Sequence, residues 1–162
     1  MTDNENRALL AALDRQRHHV LGILDGLADA DLRRPVLPSG WSCLGMVRHL
    51  AIDVERFWFQ AVVAGEHEGV DPDEYAWQVP VDLSAADVLK EYRRETELAN
   101  MIAAALPLDT APAWWPSEVF PNLPRYDLRR TILHVITETA CHAGHLDAAR
   151  ELIDGRTWRV LT

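Results

Sequence analysis

Residues 131 to 145 of the chain read Thr131-Ile-Leu-His134-Val-Ile-Thr-Glu138-Thr-Ala-Cys-His142-Ala-Gly-His145. The run is typical of the middle of a long helix near the C-terminal end of the sequence. At 3.6 residues per turn, three histidines and a glutamate fall within about 40° of one line along that helix, namely His134, Glu138, His142 and His145. This polar stripe is the first candidate for chemistry.

The stripe has two interpretations. A polar line on an apolar helix is most often its solvated face, in which case the four side chains point to water. Against this, the predicted solvent-exposed positions of the chain carry mainly Arg, Asp and Glu, whereas three of its seven histidines lie on this stripe. The opposite side carries apolar residues that suit burial, namely Leu133, Ile136, Ala140 and Ala143. Periodicity by itself leaves open whether the stripe faces water or the interior.

Helical periodicity predicts three further helices before this one. The four predicted helices run from about Asn4 to Asp25, from Ser42 to about Ala64, from Ser84 to Leu106, and from Asp127 to Gly155. Ser42, Ser84 and Asp127 are the predicted N-caps. Residues 28–41 and 65–83 are predicted connections, the first with at most one helical turn. Four helices without a strand pattern predict an all-α four-helix bundle in which residues 1–162 form a single domain.

The segment 107–126 contains five of the nine prolines together with aromatic residues at Trp114, Trp115, Phe120 and Tyr126. This content of proline and aromatic residues is not typical of a flexible linker. A rigid aromatic loop of this kind either roofs a pocket or caps the end of the bundle. The tryptophans and the phenylalanine suggest an apolar substrate pocket, although their spacing identifies no ligand.

The composition excludes several classes of partner. Twenty-five acidic against 16 basic residues give a net charge of −9, and no Lys/Arg cluster exceeds a pair, so nucleic acid and anionic membrane are poor partners. No apolar run approaches the ~20 residues that a membrane span needs, and the first residues lack the features of a signal peptide. Cys43 and Cys141 form no C-x-x-C pair, as a reducing compartment allows, and both suit the role of a small buried hydrophobic residue. We therefore expect a soluble cytoplasmic protein.

Two residues of the stripe have the spacing of paired metal ligands. Glu138 and His142 lie one helical turn apart, and His49 supplies a third ligand if the second and fourth helices face each other at that height. Two imidazoles, one carboxylate and an open position describe a catalytic zinc site, and the same donors also suit non-haem iron. His134 and His145 lie one turn to either side, where they can orient ligands or carry protons.

Two stretches resemble a known family. The run Gly40-Trp41-Ser42-Cys43-Leu44-Gly45-Met46-Val47-Arg48-His49-Leu50-Ala51 resembles the start of the second helix in the DinB-like (YfiT-type) metalloenzymes, where a Trp-Ser/Thr pair precedes a metal-binding histidine. The run from His134 to Glu151 resembles the last helix of the actinobacterial branch of that superfamily. Many DinB-like proteins have a His-x-x-x-His pair there, whereas this branch, like mycothiol-dependent maleylpyruvate isomerase, has glutamate in the first place. By resemblance, Glu138, His142 and His49 form the metal triad.

The resemblance covers essentially the whole chain and implies a four-helix bundle that binds a divalent metal, commonly zinc or nickel, and often forms a homodimer. It also implies a small-molecule thiol cosubstrate, mycothiol in actinobacteria and bacillithiol in their Gram-positive counterparts. The maleylpyruvate isomerase carries an additional C-terminal domain that 162 residues do not hold. The resemblance therefore favours stand-alone thiol transfer over isomerisation.

The first hypothesis is a metal-dependent thiol transferase. The metal is expected to be zinc, with nickel or iron as alternatives, and the thiol, expected to be mycothiol, attacks a small electrophile as a metal-bound thiolate. His134 or His145 is the expected proton donor. A metal-hydroxide hydrolase would use the same triad, and a non-enzymatic, stress-associated dimeric bundle would hold a structural or vestigial metal. Cys141 is a weaker candidate nucleophile, because adjacent helical residues diverge by about 100°.

Overall fold

The computed structural model describes residues 2–69 and 75–158, and every regular element in those two ranges is helical. The helices are α1 (Thr2–Leu24), α2 (Asp29–Arg33), α3 (Cys43–His49), α4 (Ala85–Ala105) and α5 (Leu128–Asp154), and α3 continues directly as a π-helix over Leu50–Val63. The four long helices match the prediction to within a few residues at each end, and α2 is the predicted single turn. Of the predicted connection 65–83, residues 70–74 lie outside the described residues. The all-α prediction is confirmed.

Side-chain caps fix where three of the helices begin. In each, an oxygen accepts the backbone N–H three positions on: Ser42 from Gly45 at 3.0 Å, Ser84 from Asp87 at 3.1 Å, and Asp127 from Arg130 at 2.9 Å. At the other end of α5, Gly155 has a φ of 76°, a left-handed conformation that favours glycine. These local signals explain why the helix boundaries were predictable.

The π-helical segment Leu50–Val63 is a feature that periodicity did not predict. A π-helix bonds each N–H to the carbonyl five residues back, and such segments are rare and concentrated at functional sites. Its end keeps this pattern, since the Ala64 N–H donates to the Phe59 carbonyl at 3.0 Å. Apolar residues cover most of its circumference, so a regular and a widened turn bury similar side chains. The widening begins directly after His49.

Two extensive helix pairs build the bundle. Helix α1 packs along α5, the π-helical segment packs along α4, and contacts between the π-helical segment and α5 join the two pairs. The interior contains fully buried apolar side chains from every long helix, among them Leu13, Leu44, Phe59, Val88, Ile132 and Leu146. Burying each contributes about 1.5–3 kcal/mol. This core holds α3 and α5 at a fixed relative height.

Polar groups of the π-helical segment divide between two neighbours. Arg56 and Gln60 reach the buried carboxylate of Glu95 on α4. Glu55 is also fully buried, and it accepts two hydrogen bonds from the guanidinium of Arg17 on α1, at 2.8 and 2.6 Å. Part of the polar side chains of the π-helical segment therefore belongs to an internal ionic network.

Helix α5 buries a face that differs in part from the prediction. Its buried residues are Leu128, Thr131, Ile132, Val135, Thr139, Ala143, Leu146, Ala149 and Arg150. Among the residues opposite the stripe, Ala143 is buried, whereas Leu133 and Ala140 are exposed. The stripe borders the buried face, because the buried arc of α5 is centred between two neighbouring helices and not directly opposite the polar residues.

One cysteine prediction is wrong. Cys43 is buried as expected, but Cys141 is exposed on the outward side of α5. The same shift of the buried arc explains this, since position 141 lies on the side of α5 away from its buried residues. No helix in the described ranges is both long and apolar enough to cross a membrane.

Candidate functional site

Two histidines from different helices meet in the seam between α3 and α5. His49 is the last residue of α3, and His142 lies within α5. Their imidazole rings stand edge to face, with centroids 5.1 Å apart and planes at 88°. Both side chains are largely buried, with exposed fractions of 15% and 14%. The structure thus brings together the two histidines that the sequence suggested as ligands.

Glu138 lies one turn before His142, and its Oε2 is 3.5 Å from Nε2 of that imidazole. Two ligands of a tetrahedral zinc ion are separated by roughly 3.3 Å, and the centroids of two imidazoles on one ion by roughly 5 Å. Both separations in the protein are close to these values. Two imidazoles and one carboxylate suit a divalent cation in chemistry, and two of the three pairs, His49–His142 and Glu138–His142, have a compatible spacing.

The ligand atoms of His49, Glu138 and His142 do not converge on one point. Among residues 2–69 and 75–158, no group of three or more His, Cys, Asp and Glu side chains is arranged so as to hold a metal ion. The Glu138 side chain is 40% exposed, so its carboxylate has room to rotate. A shared ion would require this rotation to complete the set with His49 and His142.

His49 has two partners besides His142. Its Nδ1 lies 2.7 Å from Oδ2 of Asp53, one turn further along the chain, and the indole of Trp77 stacks on its ring. The hydrogen bond leaves Nε2 as the free ring nitrogen, which is the arrangement usual for histidine ligands. The i, i+4 spacing of Asp53 was a usable sequence signal. Nothing in the sequence linked Trp77 to the site, since it lies in a predicted loop.

His142 has a similar environment. Its Nδ1 lies 3.4 Å from Nδ1 of His145, so one of the two rings donates to the other. Burial lowers the pKa of His142, the neighbouring His49 lowers it further, and Glu138 opposes the shift. A neutral imidazole keeps a lone pair available to a metal.

His134 is placed apart from the histidine pair. Its ring meets Trp58 with a centroid separation of 4.5 Å and Tyr126 at 5.8 Å. Burial lowers the pKa of His134, and Glu138 opposes the shift. Because eight residues of helix rise by about 12 Å, His134 lies well away from His142 along α5. Of the two predicted proton carriers, His145 is the one beside the pair.

The proline-rich segment 107–126 covers the part of the stripe around His134. Trp58 of the π-helical segment stacks with both Phe120 and Tyr126 at centroid separations of 5.9 Å. Aromatic pairs at such distances contribute about 0.5–1.5 kcal/mol beyond their buried area. The segment therefore packs on the flank of the bundle.

The all-helical bundle is consistent with the DinB-like class that the sequence resembles. A family model described as Mycothiol-S-transferase matches residues 8–155, and the chain belongs to this family within the DinB/YfiT-like superfamily. The match includes both sequence stretches that carry the resemblance, so that prediction is confirmed. No curated protein and no solved structure matches the chain.

Proposed function

We propose that the protein is a metal-dependent transferase that conjugates mycothiol to small electrophiles. Membership of the Mycothiol-S-transferase family supports the thiol and the reaction class. The observation that carries the proposal is the meeting of His49 and His142, with Glu138 at 3.5 Å from the latter. A site of this kind would need no residue beyond these three to hold a metal with an open position.

The proposed ligand atoms follow from the hydrogen bonds of each ring. Nε2 of His49 is the proposed metal-binding atom, because Nδ1 of that ring is hydrogen-bonded to Asp53. Nε2 of His142 is the proposed metal-binding atom on α5, because it faces Glu138 while Nδ1 faces His145. A divalent cation held there, zinc in the first instance and nickel or iron as alternatives, would lower the pKa of a bound thiol and so supply a nucleophile at neutral pH.

The chain's own residues have separate tasks in the proposed reaction. The thiol sulfur forms a bond to the electrophilic carbon, and the electron pair of the broken bond goes to the leaving group or to the opened ring. His145 accepts the thiol proton at a ring nitrogen, since its imidazole is exposed to solvent and adjacent to His142. It passes that proton to the oxygen of an opened ring or, when the leaving group is a halide, to solvent. His134 is the less suitable proton carrier because it packs against Trp58 and Tyr126, away from the histidine pair.

The test begins with the metal content of untagged protein, measured by elemental mass spectrometry for wild type, His49→Ala and His67→Ala. His67 is the matched control, because it is an exposed loop histidine that stacks on Trp114. We expect about one divalent ion per chain in wild type and His67→Ala, and loss of the ion in His49→Ala.

Activity is then measured as consumption of mycothiol in the presence of an alkyl or aryl halide, with bacillithiol as the comparison thiol. We expect turnover in wild type and His67→Ala, and loss of it in His49→Ala. Full activity in His49→Ala would contradict the proposal. Metal without thiol transfer would favour the hydrolase, and absence of metal after equilibration with zinc or nickel would favour the non-enzymatic bundle. Light scattering on the same samples tests the homodimer that the family resemblance implies.

A further inference from the structure

We infer that Trp77 is a positioning residue for His49, an inference that rests on the proposed role of His49 as a metal ligand. The indole stacks on the imidazole with centroids 4.0 Å apart and planes at 18°. The same indole meets His142 with centroids 5.9 Å apart and planes at 75°. One aromatic side chain therefore contacts both histidines, and it comes from the loop before α4.

Arg48 fastens this loop to α3. Its Nη1 donates to the carbonyls of Tyr75 at 3.1 Å and Gln78 at 3.0 Å, and it lies 3.5 Å from the carbonyl of Ala76. Hydrogen bonds from a charged donor are roughly twice as strong as neutral ones. Arg48 directly precedes His49, so the anchor of the loop and the imidazole belong to the same turn of helix.

Gly45 sets the distance between the loop and the helix. A Cβ atom at this position would collide with the carbonyl oxygen of Trp77. Gly45 lies one turn before His49, so the missing side chain allows the indole to descend to the level of the imidazole. Close backbone approach is a recurrent reason for glycine in a regular element.

The stack and the hydrogen bond restrain His49 in complementary ways. The hydrogen bond to Asp53 holds Nδ1 at 2.7 Å from the carboxylate oxygen. The indole lies against the face of the ring and prevents it from tilting about that bond. Together, the two contacts fix the direction in which Nε2 points. Metal ligands at functional sites must be oriented to within about 10–20°. Trp77, which is 36% exposed, thus acts on the site through His49.

Two substitutions test whether His49 requires a planar aromatic ring at position 77 or only an apolar side chain there. Trp77→Phe keeps a planar ring, whereas Trp77→Leu keeps an apolar side chain without one. Tyr75→Leu is the matched control from the same loop, since the Tyr75 side chain is 72% exposed. Zn²⁺ affinity is measured by competition with a chromophoric chelator, and thermal unfolding of the metal-free proteins checks that each variant is folded.

We expect Trp77→Leu to weaken Zn²⁺ binding by about tenfold or more, as loss of a ligand's outer partner does. Trp77→Phe should stay within about threefold of wild type, because the face-to-face contact is retained. Tyr75→Leu should bind as wild type does. Equal affinity of Trp77→Leu and wild type would overturn the inference.

A second measurement needs no metal. In chelator-treated protein, the ring protons of His49, assigned by their loss in His49→Ala, should be shifted upfield by the indole ring current. The shift should remain in Tyr75→Leu and disappear in Trp77→Leu, with broadened or multiple His49 signals. If wild type binds no zinc, the proposed function fails and this spectrum decides the inference alone. Unchanged His49 signals in Trp77→Leu would overturn it.

Discussion

Nδ1 of His49 lies 2.7 Å from Oδ2 of Asp53, across the point where the α-helix gives way to the π-helix. A carboxylate in this position fixes the tautomer and the orientation of the imidazole. The Asp53 side chain is itself partly exposed, so it is not part of the packed core. The contact is therefore better explained by the orientation of His49 than by packing.

Replacement of Asp53 tests that explanation. Asp53→Ala should weaken Zn²⁺ binding by about 10–100-fold, because the imidazole loses its fixed tautomer and direction. Chelator competition measures the change. Glu97→Ala, which removes an exposed carboxylate from α4, is the control and should leave the affinity unchanged. Comparable affinities in the two variants would contradict the assigned role of Asp53.

Two glycines in helices should respond to alanine with opposite signs. At Gly45, alanine would collide with the Trp77 carbonyl oxygen, and overpacking of this kind costs about 1–3 kcal/mol. At Gly144 on α5, a Cβ meets nothing within 4 Å, so alanine should stabilise by about 0.5–1 kcal/mol through helix propensity. Urea unfolding of the metal-free proteins measures both free energies. Stabilisation by Gly45→Ala would contradict the close packing of the loop on α3.

The buried pair of Arg17 and Glu55 should be far more sensitive than a surface pair. Glu55→Ala leaves a guanidinium buried without its bidentate partner, and removal of one member of a buried pair costs about 3–5 kcal/mol. Asp29→Asn breaks the exposed pair with Arg33 and should cost less than about 1 kcal/mol. Denaturant unfolding gives both values. Similar losses in the two variants would show that the buried pair is not a special contributor to stability.

The two cysteines should differ sharply in reactivity. Burial raises the pKa of the Cys43 thiol to about 11, and its side chain is almost fully enclosed, whereas Cys141 is exposed. Because the thiolate is the reactive form, iodoacetamide should label Cys141 alone in folded protein near neutral pH. Peptide mass spectrometry locates the label, and Cys141→Ser is the control that should abolish it. Labelling of Cys43 before unfolding would contradict the buried position.

The lowered pKa of His134 predicts a pH dependence of stability in metal-free protein. Burial disfavours the protonated imidazole in the folded state, so the unfolded chain binds the proton first as the pH falls below about 6.5. Above that pH, the free energy of unfolding should therefore not depend on this group. It should decrease as the pH drops from the pKa of His134 in the unfolded chain to its lower pKa in the folded protein. His134→Gln should lessen the fall in urea midpoint from about pH 7.5 to about pH 5.5. His67→Gln is the control, and an equally steep fall in the two variants would contradict the prediction.

The helix boundaries and the fold class were open to prediction because they depend on short-range energetics. Ser42, Ser84 and Asp127 cap helices through bonds to residues three positions away, and Gly155 ends α5 through its own backbone conformation. The spacing of Glu138 and His142 is likewise a property of one helix.

Only the tertiary structure decided what lies beside those residues. The meeting of His49 with His142 depends on the register between two helices, which the whole core sets. The stack of Trp77 depends on the path of a loop that Gly45 and Arg48 hold from a distance in sequence. The exposure of Cys141 depends on which arc of α5 its neighbours cover. A linear pattern of apolar residues records that a helix has a buried side, but long-range packing selects the partners on it.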